Sequence, residues 1–316
     1  MRKKIGVILK TVITIALICW IVYTFNLTRS IEILKKLSVF TIILVILVNT
    51  VLGVIAPVKW KILLPQYGFF KLWGLSYIAT FYSVVLPGQL GGEISKIYIL
   101  GKGKTDAQQI AASVFIDKLT GIIGLMIVGI IGLSITQRQL PLSLLTGFVS
   151  ALIILIIILF SLRISFFYSS ISKILTRVYE RFHWLRWVLH QITGSMESWH
   201  QYSKKTGIIL ISIILGCLYQ LAAIVTIIIL ANDIGINISF SDWCWILGIL
   251  SVMLLLPFTI AGIGIREGTL IGILGWLAIS SEKALALSIS ILGLQIFLAI
   301  IGGIMDLARV FKKNRL

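Results

Sequence analysis

The sequence predicts an all-α polytopic membrane protein, and three observations support this class. Of its 316 residues, 59% are hydrophobic and 12% are charged, whereas soluble globular domains have about 25% charged residues. The run VILKTVITIALICWIVYTF near the N-terminus is long enough to cross a bilayer core of about 30 Å. The alternating strands of an outer-membrane barrel do not occur. We therefore expect a single integral membrane domain over residues 1–316.

Apolar runs give the individual elements. We expect about six spanning helices, at 8–26, 39–57, 109–135, 142–162, 207–231 and 284–307. The N-terminal MRKKIGVILK resembles the start of a signal peptide, but bulky residues follow the apolar run where a cleavage site would require small ones, so the first helix is expected to be retained. Cys19, Cys217 and Cys244 lack C-x-x-C spacing and are expected to pack in apolar surroundings.

Two further apolar regions, 74–100 and 243–279, contain helix-breaking residues. The breaks are Pro87, Gly88, Gly91 and Gly92 in the first region, and Pro257, Gly262 and Gly264 in the second. The apolar arm before each proline has about 14 residues and covers about 21 Å as a helix, which is too short to cross the core. Each region is therefore predicted to be a re-entrant or broken helix hairpin.

The distribution of Lys and Arg orients these elements. With a cytoplasmic N-terminus and two re-entrant hairpins, 21 of the 28 Lys and Arg lie in the segments 1–10, 58–73, 93–108, 163–205 and 308–316. Five lie in the opposite segments 27–38, 136–141, 232–242 and 277–283. This bias follows the positive-inside rule. Membrane topology thus accounts for the net charge of +17, and no nucleic-acid partner is required. Both termini are predicted to be cytoplasmic, in a multi-pass protein of the cell membrane.

The two hairpins share a sequence pattern and would enter from opposite sides. LPGQLGGEISK and LPFTIAGIGIR both follow L-P-x3-[GA]-G-x3-[KR], which places Lys96 at the position of Arg266. Chance agreement in a glycine-rich membrane protein is one explanation. The other is an inverted repeat, which builds the substrate site of many transporters from two broken helices.

The candidate site residues lie just beyond the two breaks. Short helices are predicted to start near Gly92 and Gly264, and their free N–H groups favour anions such as phosphate. Lys96 and Arg266 would add positive charge, or would only snorkel to the membrane surface. Glu93 and Glu267 stabilise the helix starts through the helix dipole, or balance the nearby cations until an anionic substrate displaces them, or carry a coupled proton.

A third cluster lies in VFIDKLTGIIGLM. Asp117 shares a helix face with Gly121 and Gly124. It is expected to pair with Arg266, Lys96 or Lys118, or to lie at the cytoplasmic interface. The complete set of candidate substrate-binding residues is Gly91, Gly92, Glu93, Lys96, Asp117, Lys118, Gly262, Gly264, Arg266 and Glu267. No catalytic residue, metal site or cofactor is predicted, because the sequence has no P-loop, G-x-S-x-G or H-E-x-x-H motif.

The loop 163–205 is rich in aromatic and basic residues, which is typical of an amphipathic helix on an anionic leaflet. Its histidines, His183, His190 and His200, do not have zinc-site spacing.

These motifs resemble a known family. PGQLGGEISKIYIL, VFIDKLTGIIGL and PFTIAGIGIREGTL, together with KWKILLPQYG at 59–68, are similar to the transmembrane region of the lysylphosphatidylglycerol synthase family over about 5–310. The resemblance implies a flippase-like membrane domain, and nothing here matches the family's cytosolic synthase domain. Glu93, Lys96 and Lys118 stand where the family usually has aspartate, arginine and arginine, whereas Arg266-Glu267-Gly268 matches as it stands. Lysine cannot bind phosphate in the bidentate way of arginine, so these departures bear on head-group specificity more than on the fold.

The resulting hypothesis is a lipid translocase that holds an anionic phospholipid or polyprenyl-phosphate lipid with Lys96 and Arg266. It predicts that Arg266→Ala abolishes transport in a folded protein, whereas loss of folded protein would make Arg266 structural. One alternative is an aminoacyl or glycosyl transferase, as in phosphatidylglycerol lysyltransferases. Another is a non-transporting lipid-binding partner of an envelope-assembly enzyme.

Overall fold

A computed structural model describes residues 27–86, 91–102, 106–161, 163, 186–255, 259 and 261–313. The predicted first span, Cys19, both hairpin prolines and residues 164–185 lie outside the described residues. The described part contains eleven helices: α1 (Leu27–Lys35), α2 (Val39–Leu63), α3 (Phe69–Val85), α4 (Gly91–Gly101), α5 (Ala107–Ile135), α6 (Leu142–Ser161), α7 (Arg186–Lys204), α8 (Thr206–Asp233), α9 (Phe240–Leu255), α10 (Ile265–Trp276) and α11 (Ser281–Lys313).

The all-α polytopic fold class is confirmed. Five helices are long and apolar enough to cross a membrane, namely α2, α5, α6, α8 and α11, and they coincide with five of the six predicted spans. The shorter apolar helices α3 and α9 are the first arms of the two broken regions. Their second arms, α4 and α10, start at Gly91 and Ile265, each within one residue of the predicted start.

Helix α2 is longer than predicted, and this changes the site. The sequence suggested an end at Pro57, but the helix continues through this proline to Leu63. The residues after Pro57 are held by packing, since Lys59 and Trp60 are buried and the Trp60 Nε1 donates to Ser113 of α5 at 3.2 Å. Lys59 therefore lies inside the helical bundle and not in a cytoplasmic loop.

The described helices form two sets with the same order and similar lengths. Helices α2 to α5 have 25, 17, 11 and 29 residues, and helices α8 to α11 have 28, 16, 12 and 33. The contacts between the sets are reciprocal, because α3 packs against α11, α9 packs against α5, and α2 packs against α8. Helices α6 and α7 connect the two sets.

Glycines allow the reciprocal crossings to be close. A Cβ at Gly302 of α11 would collide with the carbonyl of Tyr77 of α3. A Cβ at Gly132 of α5 would similarly lie 2.7 Å from the carbonyl of Ser241 of α9. Small residues permit such backbone approach between helices in membranes. The largest core cluster lies around α5, α8, α9, α10 and α11, and includes buried Trp243.

Contacts between connecting segments show which helix ends lie together. The segments predicted to be external meet at one end through Ser38 and Asp233, Arg138 and Asp242, and Lys283 and Gly235. The Trp276 ring at the end of α10 lies 6.4 Å from that of Trp245, in the second turn of α9. Helix α9 thus begins, and α10 ends, at this end of the bundle.

The first broken region, α3–α4, begins and ends at the opposite end of the bundle. The Tyr67 hydroxyl, just before α3, donates to Asp106 at 2.7 Å, just after α4. The Tyr202 hydroxyl of α7 donates to the carbonyl of Leu63 at 2.6 Å at the same end. Within the predicted amphipathic loop, α7 is thereby held against the ends of α2 and α5, and the Trp199 and Phe115 rings lie 4.8 Å apart.

Candidate functional site

Two adjoining cavities open between the two sets of helices. One has a volume of about 290 Å³ and reaches from α2 and α3 to α11. The other, about 420 Å³, reaches from α2 and α5 to α8 and α9. Both are lined by Ala56, Glu93, Lys96, Lys118 and Tyr219, so we treat them as one central cavity. The first turn of α4 is thereby placed at the junction of the two sets.

Glu93 lies between two lysines in the central cavity. Its Oε2 is 3.1 Å from the Nζ of Lys96, one turn along α4, and its Oε1 is 4.0 Å from the Nζ of Lys118 on α5. The Lys96 Nζ also lies 5.2 Å from the centre of the Trp60 ring, where the cation meets the negative face of the indole. One carboxylate is therefore shared by two cations, which leaves one positive charge in excess.

A second ion pair closes the wall of the cavity. The Lys59 Nζ is 3.1 Å from the Asp117 Oδ1 and also donates to the Asp117 carbonyl. The lining thus contains three lysines and two carboxylates, which give a formal charge of +1. Since the walls are largely apolar helices, this charge acts in a medium that screens it less than water does. The cavity is suited to a ligand that brings a negative charge.

The glycines at the start of α4 serve packing. Gly91 and Gly92 are buried within the helix, and a Cβ at Gly92 would lie 2.6 Å from the carbonyl of Ala79 in α3. The absence of side chains lets the two arms approach closely, which carries Glu93 and Lys96 into the bundle. The structure thus gives these glycines a role in tight packing inside a helix, although the sequence analysis counted them among the helix-breaking residues.

The second break is built from left-handed backbone. Ala261, Gly262 and Gly264 have φ of 54°, 75° and 91°. Glycine adopts these angles without steric cost, as predicted, whereas Ala261 is held there by its surroundings. Helix α10 starts directly after this turn, with Gly264 as its N-cap.

Arg266 and Glu267 form a closed network behind the cavity. Arg266 is 1% exposed, and its guanidinium donates to Gln295 at 3.1 Å and to the Ala261 carbonyl at 3.3 Å. Glu267 accepts from the Gly264 N–H at 2.5 Å and from the Ser288 hydroxyl at 2.7 Å, and its Oε1 lies 3.6 Å from the Arg266 Nε. The carboxylate is thus a helix cap and a partner for Arg266.

The structure therefore divides the predicted site residues. Gly92, Glu93, Lys96, Asp117 and Lys118 line the central cavity. The described lining does not include Gly91, Gly262, Gly264, Arg266 or Glu267, although Gln295 connects Arg266 to it. The expectation that Asp117 pairs with Arg266, Lys96 or Lys118 is corrected, because its partner is Lys59. Substrate binding by any of these residues stays a prediction.

Sequence reasoning missed Lys59 and Tyr219 as residues of the site. Lys59 was assigned to a cytoplasmic loop because Pro57 was taken as the end of α2. The available signal was the KWK stretch, in which two lysines flank a tryptophan directly after a long apolar run. Tyr219 lies inside the apolar helix α8, and its local sequence carries no signal.

Comparison with the models of known protein families gives a match over most of the chain. The model of the family described as lysylphosphatidylglycerol synthase TM region matches residues 7–303. The chain belongs to this family. The match includes every described residue that lines the central cavity, and it confirms the resemblance noted in the sequence motifs. No curated protein and no solved structure matches the chain.

Proposed function

We propose that the protein is a lipid translocase of the cytoplasmic membrane, which moves an anionic or phosphate-bearing lipid between leaflets. The observation that carries this proposal is the central cavity, with three lysines and two carboxylates between the two helix sets. The family is a membrane family often linked to lipid flipping, which supports the same reading.

In this proposal Glu93 is the counter-charge of the empty site. It is shared by Lys96 and Lys118 at 3.1 and 4.0 Å. An entering phosphate would bind both lysines and would offset the positive charge that Glu93 alone leaves uncompensated in the empty cavity. Lys59 and Asp117, which already neutralise each other, would keep the adjoining wall in place.

The two broken regions would provide access from each side. We propose that α3–α4 and α9–α10 are re-entrant hairpins of an inverted repeat, with cytoplasmic termini. Support comes from the opposite ends at which the hairpins begin and from the reciprocal packing of α3 on α11 and α9 on α5. Rocking one set against the other would expose the central cavity alternately to the two leaflets.

A leaflet-exchange assay tests the function. The purified protein is reconstituted in liposomes containing fluorescent phosphatidylglycerol, and dithionite added outside destroys the label of the outer leaflet. Wild type is expected to expose the inner-leaflet label as well. Lys96→Gln/Lys118→Gln is expected to remove most of this exchange, because two of the three cations that face the cavity are lost.

The matched control is Lys61→Gln/Lys204→Gln, which removes the same charge from two exposed lysines outside the cavity. It is expected to exchange lipid like wild type. Lipid binding without exchange by wild type would contradict transport and favour the non-transporting binding partner. Equal loss in both double variants would contradict the central cavity as the site.

A further inference from the structure

A second cleft lies at the end of the bundle opposite the Asp233 and Asp242 loops. It has a volume of about 580 Å³ and is formed by α3, α4 with its following residue Lys102, and the last turns of α11. Ligand pockets commonly have about 300–1,000 Å³. None of its lining residues lines the central cavity. The two sites lie on different faces of α3, with Gly74 and Ile78 toward the cleft and Ser76 and Thr80 toward the central cavity.

Three cations from separate parts of the chain converge on this cleft. They are Lys71 of α3, Lys102 after α4 and Arg309 of α11. Each comes from a different segment that the charge bias assigns to the cytoplasm. The positive-inside rule requires only that such charges lie on that side, and does not require them to meet around one cavity.

The local partners leave the cleft positively charged. The Lys102 Nζ donates to the Tyr98 hydroxyl at 3.3 Å, so this lysine keeps its charge beside a neutral group. Arg309 pairs with Asp306 at 2.7 Å, and its side chain is still 41% exposed. The other oxygen of Asp306 accepts from the Tyr82 hydroxyl at 2.8 Å. Counting Asp306, the described residues of the cleft carry a formal charge of +2.

The floor of the cleft is apolar and is kept open by a glycine. The nearest heavy atom to a Cβ at Gly74 would be the methyl carbon of Met305, at 3.4 Å, so a larger side chain would fill this space. The outer surface of α11 at this end is also apolar, with Leu307 and Phe311 60% and 67% exposed. A cationic rim above an apolar floor matches an amphiphile with an anionic head group.

We propose that this cleft binds one anionic glycerophospholipid of the adjacent leaflet, with its phosphate among Lys71, Lys102 and Arg309 and an acyl chain over Gly74. The site is separate from the central cavity and does not require that the protein transports lipid. The bound lipid would bridge the first broken region and the C-terminal helix, since each contributes part of the cleft.

Native mass spectrometry of the full chain in detergent micelles tests the proposal. The probes are dioleoyl phosphatidylglycerol and dioleoyl phosphatidylcholine. Wild type is expected to retain phosphatidylglycerol in preference to phosphatidylcholine, with one molecule in the cleft besides any that the central cavity holds. Lys71→Gln/Lys102→Gln/Arg309→Gln is expected to weaken this binding about 10- to 100-fold, because each basic residue near a lipid surface contributes to the attraction. Gly74→Leu is expected to weaken it while all three cations remain.

Two further variants locate the lipid. Lys61→Gln/Lys204→Gln/Lys205→Gln removes the same charge from exposed lysines outside the cleft and is expected to bind like wild type. Lys96→Gln/Lys118→Gln in the central cavity is also expected to keep the cleft lipid. Equal weakening by both triple variants would overturn the proposal, as would full retention by a folded Gly74→Leu protein. Displacement by glycerol 3-phosphate alone would mean a head-group site and would overturn the acyl-chain part.

If Gly74→Leu does not give a monodisperse protein, comparison of the two triple variants still shows whether the lipid binds at the cleft. All six of the residues that they change carry their charge at exposed or partly exposed positions near the cytoplasmic end, so these variants are expected to fold.

Discussion

The two broken-helix regions have the same layout but hold their charged residues differently. In α3–α4, Lys96 and Glu93 line an open cavity, and their side chains are 13% and 22% exposed. In α9–α10, the side chains of Arg266 and Glu267 are only 2% and 6% exposed, and they are bonded to Gln295, Ser288 and backbone groups. One region presents its charges to an open cavity, whereas the other uses them to fix its own turn.

The comparison also changes the correspondence between the two regions. The sequence pattern places Lys96 with Arg266, but these are the sixth residue of α4 and the second residue of α10. When the helix starts are aligned, the third residue of each helix is a glutamate, Glu93 or Glu267. The equivalent group is then a carboxylate near each helix N-terminus, where the helix dipole stabilises it, and the cations differ by about one turn.

The sharpest test of the comparison is the side from which each region enters. Gln66 lies before α3 and Asn237 before α9, and both are exposed. In a cysteine-free background, we expect Gln66→Cys to react with a membrane-impermeant maleimide only from the cytoplasmic side, and Asn237→Cys only from the other. Inside-out and right-side-out vesicles separate the two cases, and labelling of both from the same side would end the inverted-repeat proposal.

Arg266→Ala is expected to have the largest effect on stability. It leaves Glu267 buried without its cation, and removal of one partner of a buried pair costs about 3–5 kcal/mol. Lys96→Ala should cost far less, because Glu93 keeps Lys118. Thermal unfolding of both variants in detergent measures the difference. The buried network therefore argues against the expectation from the sequence that Arg266→Ala stays folded. Equal melting temperatures of Arg266→Ala and Lys96→Ala would support that expectation instead.

Lys59→Met is expected to cost about 1.5–3 kcal/mol, because the Asp117 carboxylate loses its ion-pair partner and the Asp117 carbonyl loses its charged donor. Asp117→Leu in the same protein should restore part of this loss, since the uncompensated charge is then gone. A double-mutant cycle on melting curves gives the coupling. Additive effects of the two changes would show that the pair contributes nothing.

The smallest expected effects come from a glycine in each second arm. Gly92→Ala places a methyl group 2.6 Å from the Ala79 carbonyl and should destabilise by about 1–3 kcal/mol. A Cβ at Gly268 of α10 meets nothing within 4 Å, so Gly268→Ala should gain about 0.5–1 kcal/mol from its helix preference. Opposite signs in thermal unfolding are the expected result. Two changes of the same sign would contradict the close packing of α3 and α4.

The sequence by itself determined the class of the protein, five described spans, both breaks and the starts of the helices after them. These features depend on local properties. The length of an apolar segment shows whether it can cross the bilayer core. Proline restricts the backbone and glycine widens its range of conformations, and both are local effects. Five of the ten candidate residues, including Glu93 and Lys96, line the central cavity, and their role in substrate binding stays a prediction.

Only the tertiary structure decided which charges meet. Lys59 and Asp117 are 58 positions apart, and their pairing depends on the rotation and crossing of α2 against α5. Likewise, the buried Arg266 and Glu267 are bonded to Gln295 and Ser288 of α11, respectively, and their own segment does not encode these partners. Helical periodicity fixes the face on which a residue lies, but the packing of distant helices decides what that face contacts.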